Sequence, residues 1–126
     1  METPKMETPE TAVDLETQAR AYLKAFESRD IDQCMAFYDD NASLSFVQSD
    51  YKGKDQIQEW HKARFAADLR VLRVEKLTVE GNTVVLAAVV TSKRLKAWKL
   101  NTVRGTVTTL FEGSKIKDLK FGMRLV

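Results

Sequence analysis

The 126-residue chain has the length of one domain. Its 44% apolar and 30% charged residues, with two prolines and five glycines, exclude a disordered, collagen-like or low-complexity protein. The net charge of +2 divides unevenly, with −6 over residues 1–40 and +8 over residues 41–126. One cysteine and one histidine exclude an internal disulfide and a tetrahedral zinc site built on those residue types.

The chain opens with Met-Glu-Thr-Pro at 1–4 and again at 6–9, which is expected as a flexible leader over 1–11 ahead of a single domain over 12–126. It shows no basic-then-apolar secretion pattern and no run of about 18 apolar residues, so a cytoplasmic location is expected. Thr8-Pro9 reads as a helix start, and Leu15, Ala19, Tyr22 and Phe26 recur at helical spacing to about Ser28. Asp30 with Gln33 has the form of a capping pair for a short second helix. Its apolar stripe is Ile31, Cys34, Met35 and Tyr38, which puts the cysteine in the core as an inert thiol. Asp39-Asp40-Asn41 is expected as the turn that ends it.

A strand is expected over 42–49, broken by Tyr51-Lys52-Gly53. A third helix follows over about 54–68, with Ile57, Trp60, His61, Arg64 and Phe65 on its main face. The rest reads as strands. Residues 70–80 change parity near Glu75-Lys76, the mark of a bulge, and Gly81-Asn82 is a hairpin signal. Val84 to Val90 is wholly apolar, so the strand is expected to be covered on both faces, most simply by a second subunit. Lys93 to Lys99 mixes cations with Trp98 and is expected as a hairpin end that turns the indole inward over a pocket. Val103, Val107 and Phe111 share one strand face. A last strand carries Leu119, Phe121, Met123 and Leu125. Helices followed by an antiparallel meander make an α+β domain.

Four segments in this order carry a resemblance: Ala21-Tyr22-Leu23-Lys24-Ala25-Phe26 leading to Arg29-Asp30-Ile31-Asp32; Phe37 to Ala42; Tyr51-Lys52-Gly53-Lys54-Asp55-Gln56-Ile57; and Phe111-Glu112-Gly113-Ser114-Lys115-Ile116. Together they resemble the nuclear transport factor 2-like superfamily and, within it, the SnoaL-like group of polyketide cyclases and ketosteroid isomerases. The resemblance implies a cone in which a curved, mainly antiparallel sheet of cystatin-like form wraps three N-terminal helices around an apolar pocket. It also implies homodimers through the outer sheet face. This superfold hosts enzymes, carriers and assembly modules, so function has to come from the site.

The resemblance places Tyr22 at the isomerases' oxyanion tyrosine, Phe46 at their carboxylate base and Val107 at their second proton donor. Neither Phe46 nor Val107 can move a proton. The cyclases' aspartate position falls in Leu119-Lys120-Phe121, with Asp118 at the rim. On a helical wheel His61, Arg64 and Asp68 stand within about 40° of Ile57. A histidine beside a guanidinium suits a general base with an anion clamp.

The expected function is therefore binding of a small, largely apolar ligand, with an acidic or carbonyl group held by Arg64 and His61. Tyr22, Phe26, Tyr38, Phe46, Trp60, Trp98 and Val107 are expected to line the site. One alternative is an isomerase, cyclase or dehydratase using His61 as base, Arg64 as anion stabiliser and Tyr22 as oxyanion donor, titrating near pH 6–7. Another is a protein or nucleic-acid interaction module working through a basic sheet surface. No cofactor, metal or membrane contact is expected.

Overall fold

A computed structural model describes residues 4–99 and 102–124, with side chains over 15–99 and 102–122. Helix α1 (Pro4–Glu27) starts earlier than the Thr8-Pro9 signal. The duplicated Met-Glu-Thr-Pro offers a proline start twice, and the first is used. Leu15 and Phe26 are buried, and Ala19 and Tyr22 pack beside them, as the helical spacing predicts. In α2 (Ile31–Ala36) the Asp30 carboxylate accepts from the Gln33 amide at 3.0 Å, and Cys34 and Met35 are buried.

Strand β1 (Tyr38–Phe46) begins where a turn was expected. Asp39, Asp40 and Asn41 lie within it, at a register shift between Tyr38 and Ser43. Asp39 accepts from the Asn41 amide at 2.9 Å, so the turn chemistry is spent on a bulge instead. The buried Tyr38 is what holds the chain in the sheet, paired with Ile116. Strand β2 (Ser49–Lys52) returns antiparallel to β1 and was not expected as a separate strand. The connecting turn carries no glycine; Val47 takes the left-handed conformation (φ 59°), an outlier for a β-branched residue. Helix α3 (Gly53–Ala66) follows.

Strands β3 (Arg70–Glu80) and β4 (Thr83–Thr91) form the hairpin that Gly81 and Asn82 signal, with Gly81 at φ 59°. Register shifts at Val71/Arg73 and Val74/Lys76 account for the parity change in β3. Helix α4 (Lys93–Ala97) stands where a hairpin end was expected. It is capped by the Ser92 hydroxyl, which accepts from the Leu95 amide at 3.2 Å, and pinned by the buried Leu95. Trp98 corrects the expectation of an inward indole, because it is 63% exposed. Strands β5 (Val103–Glu112) and β6 (Lys115–Arg124) complete the meander; Leu125 lies outside the described residues.

The curved, open sheet has the order β2-β1-β6-β5-β4-β3. Every neighbouring pair is antiparallel except β1 with β6, which run parallel. Helices α1 and α3 fill its concave side. Val84, Leu86, Ala88 and Val90 of β4 are buried toward them. Val85 and Ala87 point outward and are only half-buried, so the double coverage expected of this strand is incomplete within one chain.

Candidate functional site

The centre of the cone holds a buried chain of hydrogen bonds. Tyr22 on α1, Tyr38 on β1 and His61 on α3 converge there: the Tyr22 hydroxyl lies 2.7 Å from the Tyr38 hydroxyl and 2.7 Å from His61 Nε2. His61 Nδ1 lies 2.8 Å from the carbonyl oxygen of Ile57, one turn back on the same helix. A carbonyl can only accept, so Nδ1 carries the ring proton and Nε2 is bare. Tyr22 then donates to Nε2, and Tyr38 donates to Tyr22. The order of protons is fixed from one end.

Five aromatic rings surround the imidazole, from Trp60 at 4.9 Å to Phe65 at 6.0 Å between centroids. His61 is fully buried, and burial pushes its pKa down from the ordinary 6.5 to about 4; the Ile57 hydrogen bond offsets this only in part. Both tyrosine hydroxyls are pushed up by the same loss of solvent, as is the Cys34 thiol, to about 12. That suits Cys34 to the inert role expected of it. A histidine with both nitrogens engaged and no charge at neutral pH differs from the base titrating near pH 6–7 of the enzyme reading. Tyr22 likewise has its one proton committed to His61, which leaves none for an oxyanion.

Beside this chain lies an almost wholly apolar cavity of about 60 Å³. Of the expected ligand residues, Tyr22, Phe26, Trp60 and Val107 line it. Its lining also takes Leu23 of α1, Val71 of β3, Leu86 of β4, Thr109 of β5 and Phe121 of β6, which sequence reading did not single out. Strand parity could have found Thr109, since it shares the inward face of Val103, Val107 and Phe111. Tyr38, Phe46, His61, Arg64 and Trp98 are not among the lining residues. The volume suits a few waters or one compact apolar group; drug-sized pockets run to about 300 Å³ or more.

One turn of α3 carries two anomalies. Trp60 Nε1 and Arg64 Nε are both buried and have no hydrogen-bond partner. They stand at i and i+4, hence on one helix face, and both side chains meet Phe46. The Arg64 guanidinium sits 4.7 Å over the Phe46 ring, and the Trp60 and Phe46 centroids are 5.5 Å apart. The ring face offers the cation some attraction but gives Nε–H no acceptor. Burial lowers the Arg64 pKa; Tyr51 opposes that shift, and Arg94 of α4 adds to it. Asp68, expected on the same face, lies beyond the end of α3. It accepts from Arg29 at 2.7 Å and Arg70 at 2.9 Å, and the Arg29 bond leads in holding its carboxyl below the usual range. Asp118, expected at the rim, accepts from the Ser43 hydroxyl.

The description of a SnoaL-like domain matches residues 19–119. No curated protein matches the chain. Solved structures share the fold at low identity. A candidate polyketide cyclase from Sinorhizobium meliloti is 20% identical, with a TM-score of 0.75 over 87% of this chain and 97% of its own. A candidate ketosteroid isomerase from Kribbella flavida is 11% identical, with a TM-score of 0.77 over 91% and 81%. A cystatin-fold protein from Novosphingobium aromaticivorans is 19% identical, with a TM-score of 0.71 over 86% and 96%. Among the described residues no cluster of histidine, cysteine or carboxylate side chains could hold a metal, and no helix is long and apolar enough to cross a membrane.

Proposed function

The chain belongs to the SnoaL-like domain family, and from that premise we propose that it binds a small, mostly apolar molecule carrying an acidic group. The body of the ligand enters the cavity, and its carboxylate bonds to Trp60 Nε1 and Arg64. The observation that carries this reading is the pair of buried donor atoms without acceptors on one face of α3, of which Trp60 lines the apolar cavity and Arg64 stands one turn further along the helix. Buried polar groups in folded proteins are almost always paired, and Arg64 is a half-buried side chain whose Nε is shut off from solvent with no acceptor. One carboxylate would satisfy both donors. Relative to the sequence expectation, Trp60 replaces His61 as Arg64's companion, because His61 has no free nitrogen. Catalysis has no part in this reading.

Benzoate and its uncharged counterpart benzyl alcohol serve as probes, titrated by calorimetry into the wild type and Arg64→Met. The loss of one charge-assisted bond is worth about 1.5–3 kcal/mol, so benzoate should bind about ten- to a hundredfold more weakly to the variant, with benzyl alcohol unchanged. Arg64 has no ionic partner among the described residues, so its removal is expected to leave folding intact. Equal benzoate affinity in the two proteins would count against the assignment.

The reading retains residues 12–126 as one binding domain and a homodimer through the outer sheet face. The half-buried Val85 and Ala87 support the dimer, since a second copy laid on β3 and β4 would finish covering them. Sedimentation at micromolar concentration is expected to give twice the mass of the chain, and Val85→Lys to halve it. A monomer at every concentration would remove the dimer from the proposal.

A further inference from the structure

Eight of the described cations have an ion-pair partner. Arg29 and Arg70 share Asp68; Arg73 and Arg104 share Glu75; Lys117 reaches Asp39 and Glu112; and Lys115 donates to the Ala36 carbonyl. The basic sheet surface expected from the sequence is thus paired in part, with Lys52, Lys76 and Lys120 scattered along it without an ion-pair partner among the described residues. The segment of α4 and its end is different. Lys93, Arg94, Lys96 and Lys99 fall within seven residues, and none has an ion-pair partner among the described residues. In their midst Trp98 is 63% exposed, the most exposed large apolar side chain described.

We infer that this segment is a docking surface for single-stranded nucleic acid, with Trp98 stacking on a base and the four cations meeting consecutive phosphates. An indole set among cations is the pairing that sequence-tolerant strand binding uses, because every base offers a flat face and every linkage a charge. A lipid surface fits less well. A helix lying on a membrane needs a sustained apolar face, and the apolar residue of α4, Leu95, is buried in this protein's own core. An acidic peptide would match the charge but leaves the flat indole without a counterpart. None of these five residues lines the cone cavity, and although Arg94 lies near enough to act on Arg64, the variants that test the inference, at Trp98, Lys96 and Lys99, keep it distinguishable from the ligand proposal.

The test is anisotropy of a labelled oligo(dT) of about a dozen nucleotides, titrated with the full chain across about 20 to 200 mM salt. Four phosphate contacts predict a log–log salt slope of about −3. Trp98→Ala is expected to weaken binding about five- to a hundredfold, with Trp98→Phe recovering part of the loss. Lys96→Gln with Lys99→Gln is expected to flatten the slope by about half. These sites are on the surface, so the variants leave the core alone. Polyphosphate, polyglutamate and phosphatidylserine vesicles are the controls. No binding at low salt would overturn the inference. So would binding unaffected by Trp98→Ala, competition by polyphosphate or polyglutamate as effective as unlabelled oligo(dT), or vesicle binding in its place.

Discussion

Lowering the pH from 7 to 5 is expected to cost the protein about 2 kcal/mol of folding stability through a single imidazole. His61 is the chain's one histidine, fully buried, with its pKa lowered to about 4 in the folded state against 6.5 when solvated. Above pH 6.5 both states hold it neutral, and its contribution is fully present. As the pH falls below 6.5 the unfolded chain takes up a proton that the fold refuses, so stability drops. The loss grows to about 3 kcal/mol near pH 4 and then levels off as the folded ring also protonates. Urea unfolding across this range measures it, and His61→Gln should flatten the profile between pH 4 and 6.5. The carboxyls of Asp68 and Glu75, held low chiefly by bonds from Arg29 and Arg104, lose their contribution as pH falls through and below the usual carboxylate range, which keeps much of the histidine window separate. A flat wild-type curve from pH 7 to 5 would mean that the ring is not held neutral by burial.

Deleting either tyrosine hydroxyl of the buried chain is expected to have unequal effects. Tyr22 donates to His61 and accepts from Tyr38, so Tyr22→Phe strands two groups at once: a bare imidazole nitrogen and a phenolic proton. Each stranded buried group costs about 1–3 kcal/mol, giving a loss of about 2–6 kcal/mol. Tyr38→Phe removes only the outermost donor. Tyr22 keeps its bond to His61, and the loss is about 1 kcal/mol. Denaturant midpoints at constant m-value compare the two directly. Equal losses, or a larger one for Tyr38→Phe, would mean that the protons run in the opposite order and that Nδ1 does not donate to Ile57.

The gross fold was readable because its signals are repeated along each element. The β3–β4 hairpin follows from Gly81-Asn82 between two apolar runs, and the inward face of β5 follows from Val103, Val107 and Phe111. Where a single local signal had to compete with packing, packing won. Asp39-Asp40-Asn41 has the chemistry of a turn, but burial of Tyr38 against Ile116 pulled it into β1. The turn before β2 was hidden because it strains a valine instead of using a glycine. At the site, helical spacing put Trp60, His61 and Arg64 on neighbouring faces correctly. It could not say which nitrogens would find partners. That depends on Tyr22, 39 positions away in the chain, arriving within 2.7 Å of His61, while no acceptor reaches Trp60 Nε1 or Arg64 Nε.

The parallel seam between β1 and β6 joins the first strand of the sheet to its last, with Ser43 opposite Asp118, 75 positions apart. While the chain is being synthesised, β1 therefore has only the short β2 hairpin to lean on, and a two-stranded ribbon is marginal in water. The edge that β6 will occupy stays open until the C-terminal strand has emerged from the ribosome. Leu44, Phe46 and the rings of α3 wait uncovered through that interval. Closure then happens late and across a long loop, the slow kind of step that contact order describes. It is also the interval in which a nascent chain is open to holding chaperones and to pairing with another unfinished copy through the same edge.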